Sequence, residues 1–294
     1  MVKNKTVAYR IFLVFDYILL GAVAIVCLLP LLHVAFASFS DARWVMNQTG
    51  IILWPHGFTL EGYKLIFQNK QLINSYANTF LYVIASTGIG MVVTVLGAYP
   101  LSKKNVLWSN VLMLLISFTM LFNGGMIATY MVVRNLGMFD TRWAVILPTC
   151  VSAFNLILVR TSMSTIPAAL EESAMLDGAG PVRILFQICL PLLKATLATV
   201  VLYYAVASWN SWFNASIYLR DRSKFPLQLI LQEILITNDT TNATSSGDLA
   251  GVADMYKQLV KYCTIMVATV PILAFYPFIM KYFKKGVMIG SIKG

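Results

Sequence analysis

Residues 165–191, TIPAALEESAMLDGAGPVRILFQICLP, read as neither a membrane span nor an ordinary loop. Residues 168–177 are mostly good helix formers, and Pro167 suits a first helical turn because its missing N–H needs no partner there. Gly178 is a natural stop, since glycine adopts positive φ without steric penalty. Pro181 suits the start of a second helix. The segment therefore predicts two short helices joined at a glycine.

The composition around this segment is that of a membrane protein. Apolar residues make up 59% of the 294 residues and charged residues only 12%, whereas a soluble domain carries about 25% charged residues. The net charge of +10 does not indicate nucleic-acid binding, because the basic residues collect at the ends of apolar stretches instead of forming a stripe among aromatic residues.

Six apolar stretches predict an all-α integral membrane fold with six transmembrane helices. We expect residues 1–70 to hold a basic segment, the first span and the first outer loop. Residues 71–294 then form a permease core of five spans, with the 165–191 segment, an outer loop at 220–260 and a tail at 284–294. The third stretch is interrupted by Asn123-Gly124-Gly125, where a glycine pair can loosen a membrane helix. The six stretches are residues 11–36, 72–101, 106–130, 143–159, 192–219 and 262–282.

The distribution of charge predicts the orientation in the membrane. With a cytoplasmic N terminus, the inner segments hold twelve of the 22 basic residues but only three of the 12 acidic ones. This asymmetry is the one that the positive-inside rule requires. Both termini and residues 165–191 are then cytoplasmic.

The spacing within the 165–191 segment resembles the EAA loop of permease subunits in bacterial ABC importers. In that loop, EAA is followed by three residues, a glycine, nine residues and I-x-L-P; Ser173 stands where the family usually has alanine. The resemblance implies a type I importer fold in which this loop is the cytoplasmic coupling helix that docks in a cleft of the ATPase subunit. A merely solvated helix is the alternative. The implied ATPase-coupling residues are Glu171, Glu172, Ser173, Ala174, Asp177, Gly178 and Ala179.

Other stretches are similar to the maltose-type branch of these permeases, and most similar to permeases for polysaccharide-derived, often uronate-containing oligosaccharides. The stretches are Tyr130 with Leu136-Gly137, Trp209-Asn210, and the glycine-rich tail KYFKKGVMIGSIKG at 281–294. The branch implies that the tail contacts the ATPase, and a frayed terminus is the alternative. The glycines concerned are Gly286, Gly290 and Gly294.

The resemblance also implies the partners of the chain. These are a second homologous permease, a dimer of ATP-binding subunits that holds ATP and magnesium, an extracellular or periplasmic solute-binding protein, and an oligosaccharide, all at the bacterial cytoplasmic membrane. The 220–260 loop is expected to contact the binding protein, although its composition also fits a flexible loop. The sequence has no phosphate-binding G-x-x-x-x-G-K-[ST] motif, no catalytic constellation and no metal-ligand spacing. We therefore expect a transport subunit without a cofactor of its own.

Polar and aromatic residues in or beside the spans are candidates for the sugar pathway. The alternative for the tryptophans is an interfacial anchor. Two rival functions remain: an ABC permease for a non-sugar solute, and an ion-coupled secondary transporter, which is disfavoured because Asp16 is almost the only ionisable residue within the spans. The pathway candidates are Asn123, Asn155, Trp209, Asn210 and Trp212.

Overall fold

The computed structural model describes residues 7–103, 105–241, 257–274 and 277, and every regular element within them is helical. The predicted all-α fold is confirmed. Two compact units divide the chain. The first comprises the described parts of Met1–Asn69 and Glu233–Val270, and the second those of Lys70–Gln232 and Pro271–Gly294.

The helices of the described residues are numbered along the chain. A 3₁₀ turn, Leu147–Thr149, continues α7, and a π turn, Leu185–Cys189, joins α10 to α11. The helices are α1 (Val7–Ser38), α2 (Ala42–Asn47), α3 (Glu61–Gln68), α4 (Lys70–Leu101), α5 (Ser109–Leu121), α6 (Gly125–Asn135), α7 (Trp143–Ile146), α8 (Ala153–Ser164), α9 (Ala168–Leu176), α10 (Pro181–Ile184), α11 (Leu190–Leu192), α12 (Lys194–Trp209), α13 (Phe213–Tyr218), α14 (Leu227–Thr241) and α15 (Lys257–Ala274).

Three of the described helices, α1, α4 and α15, are long and apolar enough to cross a membrane, and three bent pairs reach that length together. The pairs are α5 with α6, bent by 112°; Trp143–Thr149 with α8, bent by 46°; and Pro181–Leu192 with α12, bent by 85°. The break within 106–130 falls at the predicted glycine pair, whereas the breaks within 143–159, before Ala153, and within 192–219, between Trp209 and Phe213, were not predicted. The end of the sixth predicted stretch lies partly outside the described residues.

Each break has a distinct local geometry. Gly125 has φ +80° at the α5–α6 break, a conformation that glycine adopts without penalty. Ser152 caps α8 by accepting a hydrogen bond from the Asn155 N–H. Leu193 leaves helical geometry, with ψ 14°, between α11 and α12.

The first unit is held by a small cluster of buried residues, Ala37, Val45 and Ile52. His33 fixes the loop that follows, because its Nδ1 accepts the Ile52 N–H at 3.0 Å. Gly62 admits close contact within this unit, since a Cβ there would lie 2.5 Å from the Cys263 sulfur.

The core of the second unit is built on α4, which packs against α12 and α8. Its buried apolar side chains meet those of α8, the π turn and α12. The α9 segment lies directly on this core, because Ala174 and Ala179 pack against it. The buried core residues are Val95, Ala98, Leu101, Leu156, Val159, Met163, Ile184, Leu185, Cys189, Leu193, Val200 and Tyr204.

The break between α7 and α8 is held in place by Tyr204. Its hydroxyl lies 2.7 Å from the Thr94 hydroxyl and accepts the Ser152 N–H at 3.1 Å. Gly90 makes room for this arrangement, since a Cβ there would lie 2.3 Å from the carbonyl oxygen of Cys150. The break is thus a specified feature of the fold.

Candidate functional site

The α9 segment has the predicted shape. Asp177 caps the C terminus of α9, and Gly178 follows with φ +80°. The Ala179 N–H donates to the Ala174 carbonyl at 2.9 Å, which closes the helix end. Pro181 begins α10, as expected. The predicted stop at Gly178 is confirmed, while Pro167 lies just before the helix instead of in its first turn.

Two faces of α9 differ in chemistry. The buried face carries Glu171, which is 8% exposed, and Ala174 one turn later, which packs on the core. Leu176 is 90% exposed. The exposed face, as we name it, comprises Glu172, Ser173, Met175, Leu176 and Asp177.

Met175 and Leu176 were not predicted as functional residues. In the sequence they look like the apolar residues that bury themselves in a helix, and only the burial pattern separates them from Ala174. An apolar pair between Glu172 and Asp177 in a short polar segment was the available signal.

Glu171 lies inside the segment, although it was predicted together with the docking residues. Both of its carboxylate oxygens pair with the Lys103 ammonium, which stands just beyond the end of α4. The Cys189 thiol lies 3.7 Å from one of these oxygens and donates to it. The Lys103 ammonium also lies 4.6 Å from the centre of the Tyr99 ring. A carboxylate on the buried face of a helix needs such partners.

The five pathway candidates all lie at or beside helix breaks. Asn123 sits at the α5–α6 break, where its side chain accepts the Gly125 N–H at 2.9 Å. Asn155 is 3% exposed in the first turn of α8. The remaining three, Trp209, Asn210 and Trp212, lie at the end of α12 and before α13.

Trp209 is the most constrained of these candidates. Its ring is 6% exposed and meets the Phe80 ring of α4 edge-on, at 5.6 Å between centres. Its indole N–H has no hydrogen-bond partner among the described residues. Asn210 is exposed and donates to the Val206 carbonyl at 3.0 Å.

A polar network at the Lys70 end of α4 was not predicted from the sequence. The buried Asn78 amide donates to the carbonyls of Ser223 at 2.6 Å and Phe225 at 3.3 Å. The Arg142 guanidinium in turn donates to the Asn78 side-chain oxygen at 3.1 Å. The Tyr82 hydroxyl donates to the Lys224 carbonyl at 2.7 Å. These bonds fix the start of the predicted 220–260 loop on α4.

Asp140 also holds the start of this loop, through hydrogen bonds to its backbone. It has φ +55°, and its carboxylate accepts the N–H groups of Arg220 and Asp221 at 3.0 and 3.1 Å. These two backbone hydrogen bonds are the main cause that lowers the pKa of the Asp140 carboxyl. The Lys224 ammonium adds a smaller contribution in the same direction and also donates to the Asp140 carbonyl at 2.6 Å.

Several predicted features lie outside the described residues. These include Gly286, Gly290 and Gly294 of the tail and residues 242–256 of the outer loop. Within the described part of the chain, no group of three or more His, Cys, Asp or Glu residues is arranged to hold a metal ion.

The length and apolar composition of these helices and bent pairs are typical of an integral membrane protein. No protein-family model matches the sequence. Protein LplC of Bacillus subtilis (strain 168) is 40% identical over 291 residues, which cover 99% of this chain and 98% of that protein. The polygalacturonan/rhamnogalacturonan transport system permease protein YtcP of the same organism is 39% identical over 283 residues, covering 95% and 98%.

A solved structure agrees with these relatives. One chain of a bacterial ABC transporter involved in the import of the acidic polysaccharide alginate superposes with a TM-score of 0.85 at 31% identity, over 96% of this chain and all of that one. The protein therefore belongs to the permease subunits of bacterial ABC transporters, in the branch that includes oligosaccharide and polysaccharide permeases. The predicted resemblance is confirmed, and the alternative of an ion-coupled secondary transporter is wrong.

Proposed function

We propose that this chain forms half of the translocation pathway of an ATP-driven importer for oligosaccharides derived from acidic polysaccharides. The observation that carries the proposal is the exposed face of α9. It contains Glu172, whose distance from Gly178 in the sequence matches the EAA loop of the family, and the almost fully exposed Leu176. We propose that this face docks in a cleft of the ATPase subunit.

The chemistry of the exposed face supports docking. Leu176 and Met175 are 90% and 54% exposed, although burying one such side chain is worth about 1.5–3 kcal/mol. Glu172 and Asp177 flank this apolar pair. Two exposed apolar side chains between two carboxylates complement a cleft whose centre is apolar and whose edge carries basic side chains or backbone N–H groups.

The helix breaks support a pathway. Interrupted helices at membrane depth are tolerated where they are buried in protein or line a water-filled cavity. All five candidates, Asn123, Asn155, Trp209, Asn210 and Trp212, lie at such breaks. Sugars are bound by amide groups and aromatic faces, and the indole N–H of Trp209, which has no partner in the part of the chain that the structure describes, is a donor available once the pathway opens. We propose that these residues contact the cargo.

The assembly and its orientation complete the proposal. A second homologous permease supplies the other half of the pathway, and a separate dimer of ATP-binding subunits binds and hydrolyses ATP with magnesium. Both termini are cytoplasmic, so that the tail glycines reach the ATPase. A solute-binding protein docks on the outer loop 220–260, whose start is fixed by Asn78 and Asp140.

The substrate class rests on relatives. YtcP is described as a permease for polygalacturonan and rhamnogalacturonan, and the structural neighbour belongs to an importer of alginate. Polygalacturonan and alginate are acidic polysaccharides, and rhamnogalacturonan contains acidic sugars. A non-sugar solute is the alternative that a substrate test must exclude.

Affinity purification of this chain from its native membrane tests the proposal. We expect a second permease and an ATP-binding subunit to co-purify. Leu176→Asp places a charge in the apolar part of the exposed face, so this variant is expected to lose the ATPase while retaining the second permease, which is the internal control for folding. Recovery of the wild-type chain without any ATPase would contradict the proposal.

Binding of radiolabelled oligogalacturonate, compared with a neutral oligosaccharide and a peptide, tests the substrate class.

A further inference from the structure

The Lys103–Glu171 pair joins elements that are far apart in the sequence. Glu171 belongs to α9, Lys103 follows α4, and the Cys189 thiol that also reaches the carboxylate belongs to the π turn. Three elements therefore converge on one carboxylate. The core packing of Ala174 and Ala179 is apolar and non-directional, whereas this contact is directional.

The pair is sheltered from solvent. The side chain of Glu171 is 11% exposed and that of Lys103 is 26% exposed. Ionic contacts at this depth are screened by salt much less than surface contacts. Removing one partner leaves the other charge buried without compensation. Replacing either Lys103 or Glu171 is therefore expected to disrupt the contact between α9 and the end of α4.

The helix that Lys103 follows, α4, extends to the proposed pathway. Along its 32 residues, α4 packs on α12 and α8. Towards its other end it carries Phe80, whose ring meets Trp209. A displacement of α9 that is transmitted through Glu171 therefore reaches α4, which contacts the pathway candidate Trp209.

We propose that the Lys103–Glu171 pair is a strut that transmits the movement of α9 to α4. This inference rests on the proposed docking of α9 on an ATPase and assigns positioning roles to Lys103 and Glu171. Glu172, its neighbour in sequence, is on the exposed face and is not part of the strut. Without the strut, α9 stays docked while its movement is transmitted less completely.

The test measures substrate transported per ATP hydrolysed, in the complete importer reconstituted with its ATPase, second permease and binding protein. Lys103→Met is expected to lower this ratio about tenfold, within the usual 5- to 150-fold range of coupling between sites. The ATPase should remain bound, because the exposed face is unchanged. Lys103→Arg keeps the charge and should keep the ratio near that of the wild type. Lys194→Met, at an exposed lysine that begins α12, is the matched control and should not change the ratio.

A charge exchange sharpens the test. Lys103→Glu alone places two carboxylates together and should uncouple, whereas Lys103→Glu combined with Glu171→Lys should recover most of the ratio. A merely structural lysine would not be rescued by its reversed partner. If the double variant does not fold, the comparison of Lys103→Met with Lys103→Arg decides.

Two outcomes would overturn the strut. One is a wild-type ratio in Lys103→Met, and the other is a folded double variant no better than Lys103→Glu, in both cases with the ATPase bound. Failure of the wild-type chain to bind any ATPase is a different result, since it would refute the proposed docking itself.

Discussion

The two ends of α4 hold their neighbours by different chemistry. At the Lys70 end, Asn78 and Tyr82 donate to the backbone carbonyls of residues 223–225. At the Leu101 end, Lys103 and Glu171 meet through their side chains. A loop held by its carbonyls keeps its position whatever its side chains are, whereas an ion pair fails when either side chain changes. The first end suits a loop of variable sequence, and the second suits a contact that must respond to one particular partner helix.

The largest expected effect is at the Leu101 end, from Gly178→Val. Gly178 has φ +80°, and a β-branched side chain is strained there, so the end of α9 is expected to shift. ATP hydrolysis should continue while transport falls about tenfold or more, within the range of allosteric coupling. Both rates are measured on the reconstituted importer.

Gly180→Val is the matched control. Gly180 has φ −73° and no atom within 4 Å of an added Cβ, so this variant should transport normally. Normal sugar uptake by Gly178→Val would contradict the role of the turn.

The middle of α4 provides the next effect, through Gly90→Ala. The new methyl group would lie 2.3 Å from the Cys150 carbonyl and 3.1 Å from the Tyr204 ring, so the α7–α8 break must move. We expect a loss of about 1–3 kcal/mol, as for other overpacked sites, seen as a lower thermal unfolding midpoint.

Gly88→Ala tests whether the site or the substitution matters. Gly88 is on the same helix with nothing within 4 Å of an added Cβ, and alanine is the better helix former. This variant should be neutral or stabilising. Equal unfolding midpoints for the two variants would show that the break is not fixed by Gly90.

At the Lys70 end, Asn78→Leu removes the donor for two carbonyls and the acceptor for Arg142. Because these groups are left unpaired in a partly buried site, a loss of about 1–3 kcal/mol is expected. Asn74→Leu, at an exposed position one turn earlier, is the control. Thermal unfolding distinguishes them. Transport per ATP should be unchanged in the folded fraction of Asn78→Leu, in contrast to Lys103→Met.

The smallest effect is the pH dependence contributed by Asp140. Its pKa is lowered from the ordinary value of 3.8, so its stabilising contribution is complete above that value and is lost as pH falls through the lower, folded-state pKa. The difference in unfolding midpoint between wild type and Asp140→Asn should be constant near neutral pH and shrink in strong acid. A difference that grows on acidification would contradict this sign.

The sequence predicted the features that depend on local chemistry. Gly178, Pro181 and the span at 72–101 follow from backbone preferences and from the length of an apolar run, and the structure has all three. The spacing of the EAA-like loop predicted the family. These signals lie within a few neighbouring residues or in composition.

The missed features depend on contacts between distant residues. The sequence gives no reason to distinguish Glu171 from Glu172. Only the contact with Lys103, 68 positions earlier, shows that Glu171 is a buried, paired carboxylate while Glu172 is exposed. The bend at Cys150 is fixed by Tyr204 and Gly90 from other helices. Apolar composition alone does not show that a stretch is broken, so the breaks within 143–159 and 192–219 were missed, while the glycine pair at 124–125 indicated the break within 106–130.

Cross-linking from position 176 tests the central claim most directly. A photoreactive amino acid at Leu176, in the native membrane, should cross-link to an ATP-binding subunit, which mass spectrometry identifies. The same group at Trp54, which is 71% exposed in the predicted first outer loop, is the control and should not reach that subunit. A cross-link from position 176 to an extracellular binding protein, or no cross-link to any ATPase in an actively transporting membrane, would contradict the docking of α9.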